Sequence, residues 1–433
     1  MKTMTVKCQV LTPIISRKDE SGTFDLSPQS VKGVLHFWFR AVAPRVIDIY
    51  KVNLSALSKE EREIFEKEKY AGLKYLEEQL FGSQRMKAPF GVWVEYNQND
   101  CKQLFYHDTP DRFLGGDSIK YALHGLSRRI LYFRADSTFD LNFTFKDQLI
   151  SNVILSILRL AGFVGGLGAK TTKGFGKFLV LDQKKSIFKE QDMASLIRQL
   201  VSDVEQNLKV FIENAKNINN KPLKDVLILN QNTQKRLYDF PNFCDGSFKI
   251  IDTGVQARYF SEVMSKLFVL TEDRKGWYKT VKFELRKATN NGNDCVETLK
   301  DILNNPSKAK NVRLEIPPAA LGMPLVYYFP DTRITVTFAP CGSEKIGRKQ
   351  SPLRFVLQQT NDRGFKAYAI LFFSHLSDEY EDGYKVKYYA FRKKRNGNDE
   401  VKEDIIKDYA YIPTWDVLSQ RIENIVKSRL ERR

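Results

Sequence analysis

Residues 162–178 read "GFVGGLGAKTTKGFGKF" and constrain the fold more than any other stretch. Six glycines, three lysines and two threonines follow directly on a long apolar segment. A run so rich in glycine cannot continue a helix, because each glycine gives up more backbone freedom on ordering than any other residue. The chain must therefore turn here, with positive charge at the turn. Three uses fit: a nucleotide-phosphate loop, a clamp on an RNA backbone, and a tight turn with no ligand.

The nucleotide readings fail on spacing. A P-loop needs Gly, four residues, then Gly-Lys-Ser/Thr. Here Gly176-Lys177 is followed by Phe178, and Thr171 stands where the first glycine belongs. A dinucleotide fingerprint fits Gly166 and Gly168 and then meets Thr171 at its third glycine. Both motifs also run from strand to helix, whereas this loop runs from a helical pattern into "KFLVLDQ", which reads as a strand. A backbone clamp and a ligand-free glycine turn remain. In a clamp, glycines admit phosphate or ribose close to the main chain, Lys170, Lys173 and Lys177 add charge, Thr171 adds a hydroxyl, and Phe175 offers a ring for stacking. A side chain at Gly168 is then expected to obstruct phosphate without disturbing the fold.

Charge favours a polyanionic partner. The 433 residues carry 69 Lys plus Arg against 52 Asp plus Glu, a formal charge of +17. The five cysteines are scattered, with no CxxC pair to suggest zinc. No cofactor and no metal site are expected, "DEYEDG" lacking calcium-loop spacing. The N-terminus has no signal-like apolar core, and no uninterrupted apolar run approaches membrane-span length, so a cytoplasmic location without membrane contact is expected.

Along the chain, "MTVKCQVLTPI" alternates as a strand. "SVKGVLHFWFRAVAPRVIDIY" reads as a helix capped by Ser30. "SKEEREIFEKEKYAGLKYLEEQLFG" reads as a second helix, with Ser58 and Glu61 at capping-box spacing and Gly82 at its end. Strands follow in "FGVWVEYNQ" and "RILYFRADSTFDLNFTF". Ile150, Val153, Ile154, Ile157, Leu158 and Ala161 share one face of a helix that stops at Gly162. The order strand, helix, strand, strand, helix, strand is the ferredoxin-like pattern. A helix over 192–218 and a linker lead to a second half, giving a weak two-half organisation. It contains a helical "QARYFSEVMSKLFVL", strands in "MPLVYYF", "TRITVTFAP" and "GFKAYAILFFSHL", a charged hairpin after Ser377, and an amphipathic helix from Thr414.

"GGLGAKTTKGFG" resembles the glycine-rich loop of the RAMP superfamily of CRISPR proteins. "VLTPIISRKD", "LSPQSVKGVLHFWFRAV", "LEEQLFGS", "AALGMPLVYYF" and "RKQSPLRF" resemble one branch more narrowly, the large RAMP subunit that stands first in the type III-B Cmr effector complex. The resemblance implies an α+β fold of two ferredoxin-like (RRM-related) domains with helical and loop insertions. Residues 1–185 would be the N-terminal RAMP domain, 186–224 a helical segment and linker, and 225–433 the C-terminal domain with its helix. It implies a non-catalytic subunit that contacts the 3′ region of a guide RNA, with target RNA a second candidate, beside other RAMP subunits. RNA-contacting candidates are then Lys32, Arg40, Gly166, Gly168, Lys170, Thr171, Lys173, Phe175 and Lys177, with Arg128, Arg129, Arg348 and Lys349 in basic loops. His36 departs from the family's usual arginine, which removes a permanent charge from that helix; Arg17 and Lys18 are left open. Two rival readings stand beside this one. One is a guide-processing endoribonuclease using His107 or His124 as base, and the other is a filament-capping assembly protein.

Overall fold

The computed structural model describes the chain except residues 1, 17–22, 106–119, 124–125, 127–128, 182–191, 218, 231–236, 270–275, 290–291, 306, 308–311, 342–350, 361–363, 397–398 and 432–433. It is a mixed α and β protein built on several small antiparallel sheets. The chain forms two compact units. One comprises Met1–Arg236, Phe240–Val269 and Arg354–Ile370, and the other Leu237–Asp239, Leu270–Leu353 and Leu371–Arg433.

Six elements frame the first unit: β1 (Lys2–Val10), α1 (Pro28–Val42), β2 (Phe90–Tyr96), β3 (Thr138–Phe145), α2 (Gln148–Leu160) and β4 (Phe178–Val180). They follow the expected order of strands and helices. The sheet runs β2, β3, β1, β4, antiparallel throughout. Val6 and Val94 both stand opposite Leu141, and Cys8 lies opposite Val180. Alternation puts Val6, Cys8, Val10, Phe139, Leu141 and Phe143 into the core. The stripe of α2 buries Ile150, Val153, Ile154 and Ile157. Gln148–Gly165 is long and apolar enough to cross a membrane, with mean hydropathy 1.5, but 72% of it is buried inside the protein, as suits a core helix.

Several boundaries differ from the sequence reading. Ser27, not Ser30, caps α1, accepting from the Ser30 amide. That helix ends at Val42, and Ile47–Val52 is a strand rather than its continuation. The second predicted helix is two, Lys59–Phe65 and Ala71–Phe81; the Ser58–Glu61 capping box and Gly82 terminus are both present. Helix α2 runs past Leu160 into one π turn, Ala161–Gly165.

A second sheet, all but a few end residues of it in this unit, is ordered Phe248–Ala257, Phe365–Phe372, Leu353–Gln359. Its third strand lies between its first and second, as β3 lies between β1 and β2. A helix, Phe260–Phe268, follows its first strand as α1 follows β1. Part of the predicted helix "QARYFSEVMSKLFVL" thus belongs to a strand. Arg45 ties the later segment to the earlier one, donating to Glu205, to Asp245 and to the Phe243 carbonyl, each at 2.8 Å.

The other unit holds helices Trp277–Lys287, Cys295–Asn304 and Trp415–Glu431. Its sheet is built from hairpins: Leu325–Phe329 pairs Ile334–Pro340, which pairs Gly383–Asn396, which pairs Asp399–Pro413. The short strand Asp378–Tyr380 pairs Gly383–Lys385. The predicted charged hairpin is therefore part of an ordered sheet.

Candidate nucleic-acid interface

The glycine-rich loop has a buried stem and an accessible apex. Residues 161–167 and 174–180 are buried, Gly168 is exposed, and residues 169–173 are intermediate. Backbone hydrogen bonds close the stem. The Gly166 amide donates to Ala161 (2.7 Å), Leu167 to Gly176 (2.9 Å) and Gly176 to Pro13 (2.9 Å). Thr12 bridges both sides: its hydroxyl donates to the Gly174 carbonyl and accepts from the Lys177 amide, each at 2.8 Å. Nothing in residue type marked Thr12 for this role; its only signal was its place just past the strand pattern, before Pro13.

The glycines serve this closure. Gly166 has φ +96°, and a Cβ there would lie 2.8 Å from the Gly176 carbonyl oxygen. Gly168 has φ +82°, and its Cβ would lie 2.3 Å from the Ile15 carbonyl oxygen. The Ala169 amide donates to that same oxygen, at 2.7 Å. The expectation that a side chain at Gly168 would leave the fold intact is therefore overturned, since the site abuts main chain.

Two candidate contacts are core residues. Phe175 has no exposed surface and meets the edge of Phe260 at 5.4 Å between centroids. It fills the interior and offers no ring face for a base. Lys177 is also fully buried, its Nζ donating to the Val164 and Gly165 carbonyls at 2.6 and 2.7 Å. These are carbonyls of the π turn, which the lysine caps. Burial, and secondarily the charge of Arg354, push its ammonium well below the ordinary lysine range. Arg354 is itself buried, stacked over Phe37 at 4.7 Å and Trp38 at 5.3 Å, and burial lowers it to about 10. Sequence reading missed this arginine, although it stands in the quoted "SPLRF".

The apex is different. Lys170 adopts the left-handed conformation, φ +61°, and a 3₁₀ turn over Thr171–Lys173 carries the next three side chains. Burial lowers the Lys170 ammonium somewhat. The Lys173 ammonium lies 5.4 Å over the Phe268 ring. Lys170, Thr171, Thr172 and Lys173 thus present two ammonium groups and two hydroxyls on one short turn.

The helix candidates are placed less favourably. Arg40 forks onto Glu77, with Nε to Oε1 at 2.5 Å and NH2 to Oε2 at 2.9 Å. The fork expected to meet phosphate is occupied by a carboxylate. His36 joins the same carboxylate at 3.5 Å and packs on Phe81. Burial works to raise Glu77, but the hydrogen bonds from His36 and Arg40 outweigh it and hold the carboxyl below its usual range. Lys32 lies 5.5 Å over the Phe90 ring and is half-buried. Arg129 opens the strand Arg129–Phe133. Arg17, Lys18, His107, His124, Arg128, Arg348 and Lys349 lie outside the described residues. Among the described residues no group of three or more His, Cys, Asp or Glu could hold a metal.

A βαββαβ sheet whose second helix runs into a closed glycine loop with a basic apex defines a class of small α+β module. The RAMP superfamily model matches residues 7–179, from β1 through the glycine loop into β4. Through that region the chain is similar to the RAMP superfamily. No curated protein sequence matches the chain. Among solved structures it is similar to the apo crystal structure of Cmr1 from Pyrococcus furiosus, at 12% identity and TM-score 0.46, over 99% of this chain and 97% of that one. It is also similar to the crystal structure of Cmr6 from Pyrococcus furiosus, at 16% identity and TM-score 0.26, over 41% of this chain and 97% of that one. A third similarity is to a chain in the cryo-EM structure of the type III-B Cmr-beta complex bound to cognate target RNA. There the identity is 14% and the TM-score 0.23, over 41% of this chain and 58% of that one.

Proposed function

We propose that the chain is a non-catalytic, RNA-binding RAMP subunit of a type III-B CRISPR effector complex. It contacts the 3′ region of the guide RNA beside other RAMP subunits. In this reading the first unit carries two ferredoxin-like halves: the sheet of β1 to β4, and the sheet of Phe248–Ala257, Leu353–Gln359 and Phe365–Phe372. Their shared strand order supports that duplication.

The basic apex of the glycine loop carries the proposal. It lies within the RAMP region, and it keeps Lys170 and Lys173 accessible while the stem beneath it is rigidly closed. A preorganised turn bearing ammonium and hydroxyl groups suits a phosphate backbone. The +17 charge of the chain adds attraction at longer range.

The test is the salt dependence of binding to single-stranded RNA. Each lysine on a phosphate contributes about 0.7 to the log–log slope. Lys170→Ala with Lys173→Ala should flatten the slope by about 1.4, equally for unrelated sequences. The exposed control pair Lys59→Ala with Lys67→Ala removes the same charge from another surface. Equal flattening by the control would reduce the apex to part of a diffuse field. The RNA should remain uncut throughout; cleavage by the purified chain would favour the endoribonuclease reading.

A further inference from the structure

We propose that the outward face of the hairpin sheet in the second unit is a separate platform on which bases of single-stranded RNA stack. The inference takes RNA as the ligand from the proposed function and uses none of the glycine-loop residues.

The face follows from register. One side of this sheet is core: Ile334, Val336, Phe338, Val386, Tyr388 and Ala410 are buried. Side chains alternate along each strand, so the intervening residues face away. In one row across the strands, Val326 stands opposite Thr337, which is itself buried, Thr337 opposite Tyr389, and Tyr389 opposite Lys407. In the next, Tyr328 stands opposite Thr335, and Thr335 opposite Phe391. On the other side, Lys387 pairs Tyr409 and Lys385 pairs Tyr411, with Tyr380 beside Gly383. Rings that an apolar run would be expected to bury are exposed: Tyr328 by 62%, Tyr409 by 42% and Tyr380 by 36%.

Lysines are interleaved with these rings. The Lys385 ammonium lies 3.9 Å over Tyr409 and 5.4 Å over Tyr380, and Lys407 lies 5.7 Å over Tyr389. At the rim, Arg313 lies 4.8 Å over Tyr411 and bonds Glu381 at 2.7 Å. Among the residues whose side chains are described, the other acids that share the face are Asp378, opposite Lys385, and Asp404, opposite Phe391 past a bulge.

The mixture of rings and cations selects the occupant. Protein interfaces are enriched in tyrosine but depleted in lysine. Single-stranded nucleic acid sites combine the two, rings for bases and cations for phosphates. An ammonium over an exposed ring is a weak contact. A phosphate is a stronger partner and would draw the lysine off, freeing the ring face for a base. Four strands about 4.8 Å apart make a platform wide enough for the two or three bases such sheets take.

The experiment is a fluorescence-anisotropy titration of the full chain with labelled oligouridine of about 15 nucleotides, near the upper site size of a single sheet module. Tyr328→Ala and Tyr409→Ala should each weaken binding about tenfold, and Tyr328→Phe with Tyr409→Phe should retain it, because the ring alone stacks. Both tyrosines are exposed, and unchanged thermal midpoints would confirm intact folds. Photocrosslinking of 4-thiouridine RNA to the unmodified chain should label Tyr380, Tyr389 or Tyr409. Unchanged affinity in the alanine variants, while the Lys170→Ala, Lys173→Ala pair still weakens binding, would overturn this inference alone and leave the face to a protein neighbour. A chain that binds no oligouridine would overturn both readings.

Discussion

Lys173 and Lys177 are four residues apart in one glycine-rich loop, and they do opposite things. Lys173 sits on the accessible apex, over the Phe268 ring. Lys177 sits in the buried stem with its ammonium on two carbonyls. Phe175 lies between them in sequence, inside the core. A run that looks uniformly basic and flexible is therefore two structures: a closed stem that terminates α2 and joins it to β4, and a short turn held out from it. Only the turn keeps surface exposed to solvent.

The stem's glycines should show the largest effects. Gly176 has φ +75°, and a Cβ there would lie 2.0 Å from the Leu167 carbonyl oxygen. Neither atom can move without breaking the bond from the Leu167 amide to the Gly176 carbonyl. Gly176→Ala should cost roughly 4 kcal/mol, with steric overlap added to left-handed strain, and Gly168→Val should behave similarly. Chemical denaturation measures both. A denaturant midpoint unchanged from that of the unmodified chain would mean that the stem is not closed as described.

This contrast was only half legible in the sequence. Periodicity placed α2, and the order of strands and helices placed the first sheet, because both depend on alternation that a single chain displays. The glycine spacing departs from both nucleotide-loop patterns at Thr171. What it could not display was which lysine faces inward. That depends on Val164 and Gly165 presenting carbonyls to Lys177, and on Thr12, just past β1, bridging from more than 160 residues away. Arg40 shows the same limit, since its partner Glu77 comes from another helix. In the second unit the strands were legible, but the pairing of Val326 through Thr337 to Tyr389 was not, and that pairing decides which tyrosines are exposed.

The next largest effect should separate the two lysines. Lys177→Met keeps the length of the side chain and leaves two buried carbonyls without their donor, costing about 2 to 4 kcal/mol. Lys173→Met should stay within about 0.5 kcal/mol. The pH dependence is a further signature. Burial and the neighbouring Arg354 charge lower the folded-state value of Lys177 below the ordinary 10.5. The unfolded chain therefore binds more protons between those two values, and the stability contributed by this group rises with pH across that window. The Lys177→Met variant should lack that rise. A rise of equal size in both proteins would assign it to other groups.

Among the loop glycines, the smallest effect should come where stem meets apex. Gly174 has φ +93°, as strained for a side chain as its neighbours, but the nearest atom to an added Cβ is Phe355 Cβ at 3.6 Å. Gly174→Ala therefore meets Phe355 and Leu357 only at ordinary van der Waals distance and costs mainly the left-handed penalty, about 1 to 2 kcal/mol. Its amide would still donate to Thr171 and close the turn. Lys170 and Lys173 would keep their places, so the salt slope of RNA binding should not change. If Gly174→Ala destabilised the chain as much as Gly176→Ala, backbone crowding could not be what distinguishes stem from apex. If it left stability nearly intact but flattened the salt slope, the conformation of the apex would depend on this glycine rather than on the bonds of the stem beneath it.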